Sequence, residues 1–161
     1  MKLGLKSLLF GTHQFIWHPV TVMKAWTELY GIPNIKEVVC IIVHDWGYWN
    51  CDTIDGEDGK EHPKLGASFA KQWFGEEYYE LCLYHSRSYA KANSHTPSKL
   101  CWADKLSIAY DPPGFYLWRS RLTGELDEFR LNADASGFIP ITASDLEWYN
   151  KIKTKFIHEA T

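Results

Sequence analysis

From Pro19 to about Tyr30, the residues Val20, Met23, Trp26, Thr27 and Tyr30 recur on a three-to-four spacing. That period predicts a helix with this stripe turned inward. Pro19 suits its first turn, where a missing N–H costs nothing, and Gly31-Ile32-Pro33 ends it. Lys36 to about Trp46 carries the most apolar run, Val38 to Val43. Such a run is consistent with a buried strand or a buried helix, and its β-branched content leans towards strand. Residues 50–61 form a polar loop with Gly56 and Gly59. The stretch 63–74 reads as a helix with Leu65, Phe69 and Trp73 on one side. Glu76 to about Ser86 reads as another, with an inward stripe of Tyr78, Leu81, Cys82 and His85. A helix follows from Pro97 to about Tyr110, with Leu100, Ala103, Asp104 and Ser107 along one side, until Asp111-Pro112-Pro113-Gly114 stops it. Ser144 and Glu147 have the spacing of a capping box opening a last helix to about His158.

No repeat and no Ser/Gly/Pro linker divides the 161 residues, so the expectation is one domain spanning 1–161. That length buries a core without disulfide or metal staples. The net charge of −3 gives no reason to expect general nucleic-acid binding or attraction to an anionic membrane. No window approaches the roughly 18 apolar residues of a membrane span. Near the N-terminus only Leu8-Leu9-Phe10 runs unbroken, short of the about 7–15 apolar residues of a signal peptide. Cys40, Cys82 and Cys101 sit in apolar runs, Cys51 in the polar loop, and no C-x-x-C pair occurs. The first three read as small buried hydrophobes, and the expectation is a soluble protein of a reducing cytoplasm. Nothing in the chain fixes an oligomeric state.

Seven histidines in so small a chain direct attention to metal or acid–base chemistry. His44 and Asp45 are adjacent, and taken alone such a pair is weak evidence. The wider constellation is stronger. His18 lies 26 residues before His44, His62 lies 17 after Asp45, His85 lies 23 after His62, and Asp104 lies 19 after His85. Each gap fits a helix of about 10–14 residues plus a short loop. Each side chain can then sit on its own helix or helix end, and all can converge on one point of a bundle. A lone histidine on an apolar face is more often a hydrogen-bonded core residue than a ligand. Asp104, however, lies in an apolar stretch where an unpaired carboxylate is costly, and a cation resolves that cost. Four imidazoles and two carboxylates suit Fe, Mn, Zn, Co or Ni better than Mg or Ca. His95 and His158 lie in polar surroundings and read as surface residues, while His13 suits the pocket and a surface or capping role equally. There is no H-E-x-x-H, P-loop, G-x-G-x-x-G or G-x-S-x-G pattern.

At these residues the chain resembles the HD-domain superfamily of metal-dependent phosphohydrolases, in its two-metal branch with the order H…HD…H…H…D. The matching positions are His18, His44-Asp45, His62, His85 and Asp104. The local contexts HDWG at 44–47, HPKLGA at 62–67 and ADKLS at 103–107 are similar to the family's as well. The resemblance covers about residues 12–110, and 111–161 forms a C-terminal extension without a match. It implies an all-α helical bundle, which turns Val38–Val43 into a buried helix against its propensity. It also implies two divalent transition metals, Fe or Mn foremost, with Zn, Co or Ni as alternatives. His18, His44, Asp45 and Asp104 would hold one, and His62 and His85 the other, with Asp45 bridging. Tyr48 stands where the single-metal nucleotidase branch often has Glu, which disfavours that branch.

Two such metals can lower the pKa of a bridging water and clamp phosphate oxygens. The expected activity is hydrolysis of a phosphate ester or anhydride of a nucleotide, dinucleotide or other small phosphorylated metabolite. The diadenosine-polyphosphate hydrolases are one model for it. In this scheme Asp45, Lys105 and Arg87 carry the chemistry. Lys64, Arg87, Lys105, Trp46 and Tyr48 contact substrate, and Arg119 and Arg121 are further cationic candidates. Trp46, Tyr48 and Trp49 suit stacking on a nucleobase, but packing within the bundle is the leading reading, and the acidic run Asp52, Asp55, Glu57, Asp58 reads as a solvated, mobile loop near the pocket. Two alternatives stand beside hydrolysis. One is an oxygenase similar to inositol oxygenase, with di-iron in the same ligand set; the other is a non-catalytic binding domain.

Overall fold

The computed structural model describes residues 1–161. It contains ten α-helices: α1 Leu3–Phe10, α2 Trp17–Tyr30, α3 Ile35–Val43, α4 Pro63–Phe74, α5 Glu76–Leu83, α6 Arg87–Ala92, α7 Lys99–Leu106, α8 Pro113–Thr123, α9 Glu125–Ala135 and α10 Asp145–Ala160. Three 3-10 turns, Trp46–Asn50, Gly59–Glu61 and Ser107–Tyr110, sit between them. No strand is present, so the fold is all-α. No helix is long and apolar enough to cross a membrane.

The apolar run Val38–Val43 is helical, as the resemblance implies and its β-branched content does not. Asn34 caps α3: its Oδ1 accepts from the amides of Lys36 and Glu37 at 2.9 and 3.0 Å, and Glu37 accepts from the Asn34 amide at 2.7 Å. That reciprocal box satisfies otherwise orphaned donors and favours a helix start. At α10 the Ser144 hydroxyl accepts from the Glu147 amide at 3.2 Å, while the Glu147 carboxylate pairs with Lys151.

Two expected stripes face elsewhere. In α2 the buried residues are His18, Pro19, Thr21, Val22, Ala25 and Trp26, whereas Thr27 and Tyr30 are exposed. The helix is turned so that a histidine and a threonine lie on its inner face. In α4 Leu65 and Trp73 are exposed and Phe69 is half-buried; the inner face is Pro63, Gly66, Ala67 and Ala70. Small residues win there because α4 lies directly on the end of α3: a Cβ on Gly66 would overlap the Val43 carbonyl. α5 stops at Leu83, earlier than expected, leaving His85 in the turn before α6. α1 was not foreseen. Its inner face carries Gly4, Ser7 and Leu8, and a Cβ on Gly4 would meet the Tyr48 carbonyl.

Two main cores result. The larger joins α2, α3, α4, α5 and α7 through Val22, Trp26, Ile41, Leu83 and Leu100. The second joins the end of α7 to α8, α9 and α10 through Ile108, Leu117, Leu126, Trp148 and Tyr149. The buried Tyr149 hydroxyl donates to the carbonyls of Asp111 at 2.6 Å and Ile108 at 3.0 Å, fastening α10 across the stop after α7. A smaller cluster of Leu8, Tyr48, Cys51 and Ile54 closes the N-terminal side. All four cysteines are free and buried.

Candidate metal centre

His18 enters from the first turn of α2, His44 from the C-cap of α3 and Asp45 from the residue beyond. His62 precedes α4, His85 follows α5, and Asp104 lies in α7. The six side chains meet. His18 Nε2 lies 3.2 Å from Asp45 Oδ2 and 3.1 Å from Asp104 Oδ1. His44 Nε2 lies 3.1 Å from Asp45 Oδ2 and 3.9 Å from Asp104 Oδ1. On the other side, Asp45 Oδ1 lies 3.3 Å from His85 Nε2 and 3.5 Å from His62 Nε2. One carboxylate therefore faces two nitrogen groups with its two oxygens. His18, His44 and Asp104 form one group able to hold a metal ion, and His44, Asp45 and His85 another.

The backbone sets which nitrogen each ring presents. Nδ1 of His44, His62 and His85 lies 2.7, 2.6 and 2.5 Å from the carbonyl oxygen three residues earlier, that of Ile41, Gly59 and Cys82. A carbonyl only accepts, so each Nδ1 carries the proton and each Nε2 presents a lone pair. This is the arrangement in which imidazoles bind metals, with the second nitrogen anchored by a backbone acceptor. His62 and His85 then point bare lone pairs at each other across 2.9 Å. His18 Nε2, His44 Nε2 and Asp45 Oδ2 are buried without a hydrogen-bond partner. Unpaired buried polar atoms are costly, and a cation between them removes the cost. The donor set can therefore hold metal ions.

The electrostatics agree. Burial works against charge on His18, but the carboxylates of Asp104 and Asp45 beside it outweigh it and lift the pKa to about 10. Burial and the neighbouring His85 push His62 down to about 3. Asp45 is held well below the usual carboxylate range against its burial, by His44, His13 and His18.

Gly47 explains part of this convergence. A Cβ there would overlap the His62 carbonyl, so the turn after Asp45 can lie against the backbone that carries His62 only because the residue is glycine. Tyr48 stacks on the His62 ring at a centroid distance of 3.9 Å.

The site opens into a cavity of about 530 Å³ between the motif-bearing helices and α8–α10. Arg87, Lys105 and Tyr48 line it as expected, joined by Lys60, Lys155 and His13. Lys105 lies over the Phe156 ring and Arg87 pairs with Glu159 at 2.7 Å, so both are held by α10. Other expectations fail. Lys64 is exposed and paired with Glu61, away from the cavity lining. Trp46 packs on Phe69 and does not line the cavity either. Arg119 is buried, bound to Asp111 and the Gly11 carbonyl, and Arg121 pairs with Asp145 on the surface. The acidic loop is exposed at Asp52, Asp55, Glu57 and Asp58, yet it is anchored. Glu128 accepts from the amides of Ile54 and Asp55 at 3.1 and 2.7 Å, and Ile54 is buried. His95 and His158 are exposed, as expected.

One buried group was not anticipated. Glu125, at the start of α9, is fully buried and accepts from the hydroxyls of Ser7, Thr12 and Thr123 at 2.5, 2.6 and 2.5 Å. Burial pushes its pKa up, but hydrogen bonds from His13, Ser7 and Thr12 bring it below the ordinary value. Sequence gives little sign of this, because acidic residues in a first helical turn are ordinarily exposed and answer the helix dipole. Comparison with family models, curated proteins and solved structures found no match to the chain.

Proposed function

We propose that the chain is an HD-type metal-dependent phosphohydrolase, cleaving a phosphate ester or anhydride of a nucleotide, dinucleotide or other small phosphorylated metabolite. The observation that carries this reading is the single carboxylate of Asp45. Its two oxygens face two groups of histidine Nε2 atoms, on the floor of a cavity whose lining includes Lys60, Arg87, Lys105 and Lys155. His18, His44, Asp45 and Asp104 would hold one divalent ion, and Asp45, His62 and His85 the second. Bound ions would supply Lewis-acid charge and an activated water for attack on phosphorus.

The remaining chemistry belongs to the chain. Lys105 and Lys155 offer a phosphate positive charge from the cavity lining, while Lys60 and Arg87 reach it already paired with Glu57 and Glu159. The four anchored or paired imidazoles hold their orientation before substrate arrives, so little reorganisation is left for the reaction. Burial and the nearby Asp45 raise the Tyr48 phenol well above its ordinary pKa, so it stays protonated and serves as a donor to a phosphate oxygen. The wall from α8–α10, with Tyr116, Phe129 and Phe156, would receive the remainder of the substrate. With four buried unpaired cysteines and no membrane-crossing helix, a reducing cytoplasm is the compartment we propose.

The test is metal analysis of the purified protein, followed by a phosphate-release screen over nucleotides and sugar phosphates with Mn or Fe, with and without oxygen. The expected outcome is bound transition metal and oxygen-independent phosphate release. Oxygen consumption without phosphate release would replace hydrolysis by the di-iron oxygenase reading, and an inert protein with no bound metal would refute both.

A further inference from the structure

His13 lies beside the metal centre without belonging to either ligand group. Its ring is 5.6 Å from that of His18 and 4.7 Å from that of Tyr48, and it lines the cavity. The polar contacts of its ring are all made at Nδ1. Ser7 Oγ lies 2.7 Å away, Thr12 Oγ1 3.2 Å and Glu125 Oε1 3.3 Å.

The protons in this cluster can be placed. A hydroxyl has one hydrogen, and those of Ser7 and Thr12 both point to the Glu125 carboxylate at 2.5 and 2.6 Å. Both oxygens therefore have only lone pairs to offer His13, as does Glu125 itself. Nδ1 must be the donor. The ring is thus held with N–H towards the interior and Nε2 free of any protein partner. A buried carboxylate that fixes an imidazole's tautomer and direction, so that the far nitrogen meets substrate, is the working part of the catalytic triad.

We propose that His13 is the acid–base residue of the reaction and that Glu125, through Ser7 and Thr12, is its positioning residue. The inference rests on the hydrolase reading above. As water adds to phosphorus, the bond from phosphorus to the leaving oxygen breaks and its electron pair stays on that oxygen. The oxygen takes the Nε2 proton of the imidazolium form of His13, which leaves the neutral ring with its N–H at Nδ1. The proton lost by the attacking water goes to solvent, and solvent reprotonates His13, so the balance is water plus ester giving phosphate plus alcohol. The arrangement also assigns a task to the C-terminal extension, because Glu125 belongs to α9 and its partners Ser7 and Thr12 to the opposite end of the chain.

The experiment compares two phosphate monoesters, an alkyl ester with a poor leaving group and nitrophenyl phosphate with a good one. His13→Ala should keep the wild-type metal content. It should lower kcat on the alkyl ester by about 10²–10⁴ with KM little changed, and lower it far less on the nitrophenyl ester. Equal losses on both esters, or the loss of a metal ion from the variant, would overturn the proposal. Glu125→Gln should show the same leaving-group dependence in milder form; Ser7→Ala is the second variant should the first fail to fold. Nitrogen NMR of histidine-labelled wild type, at a pH where the ring is neutral, should show His13 in the Nδ1–H form, and that preference should weaken in either positioning variant. A neutral ring that carries its proton on Nε2 in the wild type would refute the tautomer assignment independently of any activity. A wild type that hydrolyses neither these esters nor any compound of the phosphate-release screen would instead sink the hydrolase reading and with it the catalytic role, while the spectra still decide the tautomer.

Discussion

Asp45 has two oxygens and both are committed: Oδ2 to the side of His18 and His44, Oδ1 to the side of His62 and His85. Asp45→Asn puts an amide NH₂ where one oxygen stood, and an NH₂ cannot bind a cation. We expect that variant to lose metal and phosphate release together while far-UV circular dichroism stays unchanged; full activity in Asp45→Asn would show the site assignment to be wrong. The raised pKa of His18 has its own consequence. In the metal-free protein a proton on His18 answers the two carboxylates up to a pH of about 10, and a metal must displace it. Metal binding at pH 7 should therefore release protons, and affinity should fall as the pH falls. Titration calorimetry in buffers of different ionisation heat measures this directly, and heats independent of buffer would contradict it.

At the scale of elements, the site depends on close backbone approach. Gly47→Ala pushes a methyl group into the His62 carbonyl, so the turn after Asp45 and the start of α4 must separate. Forced overpacking of this kind costs about 1–3 kcal/mol. We expect a lower denaturation midpoint and selective weakening of the His62/His85 side, read as a fall in metal stoichiometry while His18 and His44 still bind. The same close approaches explain which elements were legible in advance. α7 and its stop at Asp111-Pro112 follow from apolar spacing and proline chemistry, and both were placed by pattern. The inner faces of α1, α2 and α4 were missed or misassigned because they are small or polar: Gly4 and Ser7, His18 and Thr21, Gly66 and Ala67. Hydrophobic periodicity finds helices that pack through large side chains, and these pack through backbone or through chemistry. The six clustered residues were legible for a different reason, since their spacing allowed His18, the His44-Asp45 pair, His62, His85 and Asp104 each a helix or helix end of its own. Glu125 and Lys155 were not, because their place depends on how the last three helices fold back.

For the whole molecule, the centre draws on α2, α3, α4, α5 and α7, and the cavity wall on α8–α10. Bound metal would therefore tie together helices that are distant in the chain. An ion that binds only the folded state adds about 2.7 kcal/mol at a free concentration one hundred times its Kd. Chelation should accordingly lower the melting temperature of the metal-loaded protein, and Mn or Zn should restore it; scanning calorimetry checks both. A melting temperature indifferent to chelator and metal would mean that the cluster holds no ion that matters to folding.

The sharing of Asp45 implies a hierarchy. The pocket of His18 and His44 has a second carboxylate, Asp104, to itself, whereas the pocket of His62 and His85 has only what Asp45 leaves over. A first ion entering beside Asp104 withdraws charge from the common oxygen pair and repels whatever comes next. The two positions would thus fill stepwise, tightly and then weakly, so that scarcity of metal in the surroundings would leave a half-loaded, resting form of the protein.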